Sequence, residues 1–130
     1  MRVAGRVACG AVLATLGVNV AASACLHANS DDQVAQGRLK YVTIADLAYA
    51  RTEHAYILDL RKPACLEGTD DYDKIKSTNR IHVFSLERPL LDRLHRFVGK
   101  TVVVHGNPFG EHTAHHHAPI VMRLSKIDPL

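Results

Sequence analysis

The chain has 130 residues, a hydrophobic fraction of 47% and a formal net charge of +3 at pH 7. This length suits one small domain with a single core rather than two domains. The small net charge, the lack of tryptophan and an aromatic fraction of 5% argue against nucleic-acid binding, which relies on clustered cations and on rings that stack against bases.

The first 24 residues predict a secretory signal peptide. Arg2 and Arg6 precede an almost uncharged stretch, and residues 22–24 (ASA) form a small-x-small cleavage site. The uncharged stretch falls short of the roughly 20 residues that a membrane helix needs, so we do not expect a permanent span. We therefore predict an exported mature domain, residues 25–130, located in the periplasm, with secretion as an alternative.

Two cysteines, Cys25 and Cys65, remain after removal of the predicted leader, which contains Cys9. An even pair in an oxidising compartment favours a disulfide. The alternative is that Cys25 is the acylated first residue of a lipoprotein, which would anchor the domain to a membrane. Without that lipid, we expect no membrane contact.

The first half of the mature domain predicts a polar arm at 26–33 and two strands. The first strand spans 34–45, with Gly37 indicating a bulge or a close approach of another backbone. The second spans 54–60 and is expected to stop at Pro63. Residues 46–53 fit either a helical turn or a hairpin crossing.

The second half predicts one further strand, a helix and two more strands. The acidic stretch 67–74 is interpreted as a solvated loop, because it lacks the glycine and the terminal glutamate of a calcium loop. The later elements are a strand at 80–86, a helix at 89–97 that Gly99 ends, and strands at 100–105 and 119–127. The order of three strands, a helix and two strands is typical of a small, mainly β, five-stranded OB-like barrel. An α+β two-layer sheet is the alternative.

Several strings of the mature domain resemble one known family. They are the start at 24–26 (ACL), 37–39 (GRL), 56–65 (YILDLRKPAC), 98–106 (VGKTVVVHG) and 113–121 (TAHHHAPIV). Together they are similar to the bacterial exported family called domain of unknown function 4431. The most specific parts are the Lys-Pro-x-Cys strand end and the Thr-x-x-His-His element.

This resemblance implies a pairing of Cys25 with Cys65. It also makes Thr113, His115 and His116 the family's polar turn, and it implies no activity. The segment 44–50 departs from the resemblance, since a stretch rich in proline and glycine is expected there.

The histidine-rich stretch before the last strand is the main candidate site. Neutral imidazoles are good ligands for zinc, copper and nickel, and residues two apart in an extended segment share a face. A transition-metal site would therefore combine His115 and His117 with a third ligand, His105 or His112, and with Glu111 as a fourth. The alternative is that Thr113 and His116 satisfy backbone groups of a turn or contact a ligand.

No catalytic frame is recognisable in the sequence. Ser77 and Ser85 lack a Gly-x-Ser-x-Gly context, and both mature cysteines are better assigned to a disulfide. We therefore predict a noncatalytic binding or interaction module for an envelope ligand or protein, without a cofactor. The alternative function is transition-metal binding by the histidines.

Overall fold

The structure is a computed structural model that describes residues 5, 10–12 and 24–130. The predicted signal peptide lies almost entirely outside the described residues. Among the described residues, no helix is both long and apolar enough to cross a membrane.

Six strands, one helix and one 3₁₀ turn make up the described fold. In chain order they are β1 (Leu26–His27), β2 (Gln33–Asp46), β3 (Arg51–Glu67), the 3₁₀ turn (Asp71–Asp73), β4 (Ile75–Phe84), α1 (Arg88–Phe97), β5 (Thr101–Gly110) and β6 (Ile120–Pro129).

Five of the strands close into a barrel. β2 pairs antiparallel with β3 and β5, β3 pairs antiparallel with β4, and β5 pairs antiparallel with β6. A parallel pairing between β4 and β6 closes the ring, and β1 adds a short parallel strand beside β3. The prediction of an OB-like barrel with a helix between its third and fourth strands is confirmed, and the two-layer alternative is wrong.

The barrel interior is filled by the inward-facing side chains of its strands. Leu39, Leu58 and Ile81 lie opposite one another across β2, β3 and β4, and all three are fully buried. The helix α1 contributes Leu90, Leu94 and Phe97 to the same core. Burying this apolar surface is the main stabilising contribution to a barrel of this size.

The helix α1 agrees with its prediction because its signals are local. Pro89 occupies the first turn, where its missing N–H costs nothing. Gly99, with a φ of +86°, follows the helix in the left-handed conformation that suits glycine.

Cys25 and Cys65 form a disulfide, as predicted. It ties the segment before β1 to the last part of β3. The lipoprotein alternative would place a lipid on the same Sγ atom of Cys25.

The prediction that Pro63 ends the second strand is wrong, since β3 continues to Glu67. The pairing between β3 and β4 is interrupted between Asp59 and Ala64, so Pro63 lies in an irregular segment of the ladder. A proline is tolerated there because no partner strand requires its missing N–H. The ambiguous stretch 46–53 is a hairpin crossing, with its turn at 47–50.

Candidate functional site

Alternate residues of β2, β3 and β4 point out of the barrel, opposite to the core residues. These outward residues form rows across the three strands and are here called the outer face. The rows are Arg38 with Asp59 and Arg80, Lys40 with Ile57 and His82, Val42 with Ala55, and Ile44 with Glu53.

The outer face is apolar near the β2–β3 turn. Ala55 and Ile57 are buried there against Ala118, and Val42 and Ile44 pack on this small cluster. A concavity of about 510 Å³ lies over these aliphatic side chains. Its polar lining consists of Lys40, Asp59, Arg80 and His117. Such a surface suits a ligand that has both apolar and charged groups.

Residues 111–119, the loop between β5 and β6 here called the histidine loop, are fastened to the outer face through Glu53. The carboxylate of Glu53 accepts hydrogen bonds from Nδ1 of His115 at 2.7 Å and from Nε2 of His117 at 2.9 Å. The bond from His117, reinforced by that from His115, holds the pKa of Glu53 below its usual value against the opposing effect of desolvation. The two bonds thus connect residues that are more than 60 positions apart.

His82, on the outer face, contacts the histidine loop at His117. Its Nδ1 accepts a hydrogen bond from the backbone N–H of His117 at 3.2 Å, and the two rings are stacked with centroids 5.6 Å apart. A ring that accepts at Nδ1 has a lone pair there and is therefore neutral. Burial, helped by the nearby His117 and His116, lowers the pKa of His82 to about 4.

His112 and His116 form a second pair within the histidine loop. Nδ1 of His116 accepts from the backbone N–H of His112 at 3.3 Å, and Nδ1 of His112 donates to the carbonyl of Gly110 at 2.9 Å. Both rings pack against Phe109, with centroids 5.4 and 5.3 Å away. Burial lowers the pKa of His116. Thr113 is exposed, and its carbonyl accepts from the backbone N–H of His116.

The structure does not assemble the four predicted metal ligands. His105 lies within β5, opposite Val34 and Lys126, and Gly110 at the end of that strand is about 16 Å further along. His112, His115 and His117 lie in the histidine loop, where only the last two share a partner. In the described part of the chain, no group of three histidine, cysteine or acidic side chains has the arrangement of a metal site. The structure therefore brings His115 and His117 together but separates His105 from them.

Sequence reasoning missed Glu53 and His82 as members of this site. Glu53 fell in the ambiguous stretch 46–53, and His82 fell within the predicted strand 80–86 without a signal that set it apart. The strand alternation around Ile81 places His82 on the outward side, but only the tertiary fold brings the histidine loop onto it.

We expect His82 to make the stability of the chain fall between pH 6.5 and pH 4. The pKa of this ring is about 4 in the folded chain and 6.5 without perturbation, so only the unfolded chain takes up the proton within this range. The full pKa shift corresponds to about 3 kcal/mol in the free energy of unfolding. Because the ring is partly exposed to solvent, we expect a loss of about 2 kcal/mol. The loss is absent above pH 6.5.

Urea unfolding of His82→Gln at several pH values tests this expectation. Glutamine keeps an acceptor for the N–H of His117 but does not titrate, so its free energy of unfolding should depend less on pH. His95→Gln, which replaces an exposed histidine of α1, is the control and should follow the wild-type curve. Parallel curves for His82→Gln and wild type would contradict the assignment.

Residues 80–128 match a protein family described as Domain of unknown function (DUF4431). The match confirms the resemblance to this family over half of β4, all of α1 and β5, the histidine loop and nearly all of β6. It does not reach β2, β3 or the two paired cysteines. A search of the curated proteins found no match.

Proposed function

We propose that this chain is an exported, noncatalytic binding module whose ligand lies on the outer face. The observation that carries the proposal is the concavity of about 510 Å³ with an aliphatic floor and charged groups beside it. Val42 and Ile44 are only partly buried at this floor, although they pack on the buried Ala55 and Ile57. A ligand that covered them would remove further apolar surface from water.

The position of the concavity in the fold supports the same conclusion. Barrels of the OB type bind ligands on the face of their second and third strands, between two flanking loops. In this chain those strands are β3 and β4, and the flanking segments are the β2–β3 turn and the histidine loop. This support is an analogy at the level of the fold, and the chemistry of the concavity is the independent support.

The chemistry of the described side chains favours binding over catalysis. Cys25 and Cys65 are joined to each other, and the hydroxyl of the buried Ser85 accepts the backbone N–H of Glu87. The imidazoles of His115 and His117 are bonded to Glu53 instead of to a nucleophile. Export is supported by the disulfide, which persists in oxidising compartments.

Chemical-shift mapping with 8-anilinonaphthalene-1-sulfonate, an apolar probe with one anionic group, tests the proposed location. The backbone amides of β2, β3 and β4 at the outer face should shift on titration. Ile44→Ser should weaken this response, whereas Val98→Ser, which alters an exposed aliphatic residue at the end of α1, should not. Shifts at the acidic concavity near Asp31 and Asp32 instead of the outer face would contradict the proposal.

A second candidate function is transition-metal binding by His115 and His117. The observation that favours it is the shared carboxylate of Glu53, which holds two imidazoles within hydrogen-bond distance of one acidic group. A metal ion would have to replace these hydrogen bonds. Calorimetry with zinc, copper and nickel after metal stripping tests this candidate, and an affinity no tighter than millimolar would exclude it.

A further inference from the structure

Basic side chains are concentrated on and beside the outer face. Residues 25–130 contain fourteen lysines and arginines and thirteen acidic residues, so they are close to neutral as a whole. The end of the outer face away from the histidine loop nevertheless has five cations around a single acid, Asp59. The cations are Arg38, Lys40, Arg61, Lys62 and Arg80. The remainder of the domain is consequently acidic, which the net charge does not reveal.

Most of these cations are available to a partner. Asp59 forms its ion pair with Lys40. Within the described part of the chain, no carboxylate forms an ion pair with Arg38, Arg61, Lys62 or Arg80, and all four side chains are exposed. An anion placed beside them would gain charge-assisted hydrogen bonds, and an arginine can bind a carboxylate through two nitrogens at once.

The basic region continues directly from the aliphatic floor. Asp59 lines both the concavity of about 510 Å³ and a second, open one of about 1000 Å³ that includes Arg38, Arg61 and Lys62. Between Glu53 and Arg61 the strand β3 advances by about 26 Å at roughly 3.3 Å per residue. This distance matches an extended peptide of about eight residues.

We propose that the outer face binds an extended acidic peptide segment of a partner protein. An aliphatic side chain of the segment lies on Val42, Ile44 and Ile57. Its carboxylates, at every second position, lie along the basic region. Arg38 and Lys40 on β2 repeat every two residues, which is also the repeat of side chains on one side of an extended peptide.

The composition of the floor distinguishes a peptide from a nucleic acid. The floor is made of the aliphatic residues Val42, Ile44 and Ile57, without a tyrosine, phenylalanine or tryptophan in the described lining of either concavity. Bases of a single-stranded nucleic acid bind mainly by stacking on such rings. Aliphatic side chains beside cations suit a peptide that has both leucine-like and acidic residues.

Fluorescence anisotropy with defined peptides tests this inference, which rests on the proposed function. The probe is a labelled ten-residue peptide with one leucine followed by glutamates at alternate positions. Its counterpart with glutamines should bind at least tenfold more weakly, and added salt should weaken the glutamate peptide because exposed ion pairs are screened. A ten-nucleotide oligothymidylate serves as a polyanion without aliphatic side chains and should bind more weakly than the glutamate peptide.

Substitutions identify the surface involved. Arg38→Gln and Arg80→Gln should each weaken the glutamate peptide by about 2- to 5-fold, as expected for exposed ion pairs. Arg96→Gln makes the same chemical change on the exposed surface of α1 and should leave the affinity unchanged.

Three results would overturn the inference: equal binding of the glutamate and glutamine peptides, equal effects of Arg80→Gln and Arg96→Gln, or oligothymidylate binding as tight as that of the glutamate peptide. If the naphthalene probe still maps to the outer face, such a result removes the acidic peptide but leaves the proposed function intact. Failure of that mapping removes the proposed function itself.

Discussion

Replacing both Cys25 and Cys65 with serine is expected to lower the free energy of unfolding by about 3–4 kcal/mol. The disulfide closes a loop with a sequence separation of 40 residues, and this constraint lowers the conformational entropy of the unfolded chain. The folded chain also loses a covalent tie that keeps β1 beside β3, where Leu26 pairs with Leu66. Domains of this size are stable by only about 5–15 kcal/mol, so the change is a large part of the total.

Urea unfolding of the oxidised chain, the reduced chain and the double variant measures this effect. The reduced wild type and the double variant should unfold at similar urea concentrations, both well below the oxidised chain. Cys9, in the predicted leader, should be absent from the exported protein. The intact mass of that protein should correspond to a chain that begins at Cys25, and a thiol-labelling reagent should add no mass to it. An oxidised chain and a double variant of equal stability would contradict the expectation.

The order of elements could be predicted because it depends on local patterns. Leu90, Leu94 and Phe97 recur at the spacing of one helix face, and Gly99 ends the helix without help from the rest of the fold. The strands that contain Leu58 and Ile81 are equally local predictions, because successive side chains of a strand point to opposite faces. An OB-like arrangement then followed from the order of elements.

The extents of the strands could not be predicted because they depend on partners. Residues 75–79 (IKSTN) have no apolar alternation, yet they belong to β4 since Ile75 and Thr78 pair with β3. β5 continues through Pro108 to Gly110 because β6 lies beside it over the whole length. The local sequence does not show where a distant strand will provide backbone hydrogen-bond partners, so it does not show where a strand ends.

The candidate site was also predictable only where its features depend on neighbouring residues in the sequence. The two-residue spacing of His115 and His117 predicted that their side chains share a face, and both imidazoles contact the same residue. That partner is Glu53, which the hairpin of β2 and β3 brings to the histidine loop. His105 has the same residue type but lies inside β5, so residue type alone could not separate it from the loop. The basic region near Asp59 escaped prediction because its residues come from three strands.

Gly110→Ala is expected to destabilise the fold at least as much as loss of the disulfide. It should lower the free energy of unfolding by more than about 3 kcal/mol. A Cβ at this position would lie 1.6 Å from the backbone oxygen of Tyr72 and 2.4 Å from its carbonyl carbon. The backbone of the 3₁₀ turn would have to move, because a carbonyl cannot rotate away as the end of a long side chain can. This movement would also separate the N–H of Gly110 from Oδ1 of Asp73, which accepts it at 2.7 Å.

The loss of that hydrogen bond adds to the steric cost. Asp73 is fully buried, and its other oxygen accepts only a longer bond of 3.3 Å from Asn29. A buried carboxylate that loses a donor bears a desolvation cost of about 1–3 kcal/mol. The steric and electrostatic effects therefore have the same sign at one position.

Thermal unfolding of Gly110→Ala, with Gly99→Ala as the matched control, distinguishes close contact from backbone strain. Gly99 has a positive φ, but a Cβ added there would meet no atom within 4 Å, so its substitution should cost only about 1–2 kcal/mol. For a domain near 100 residues, each kcal/mol shifts the Tm by about 4–8 °C. Gly110→Ala should accordingly lower the Tm by more than about 12 °C, and clearly more than the control. Equal shifts for the two variants would show that contact with the 3₁₀ turn contributes nothing beyond the backbone preference of glycine.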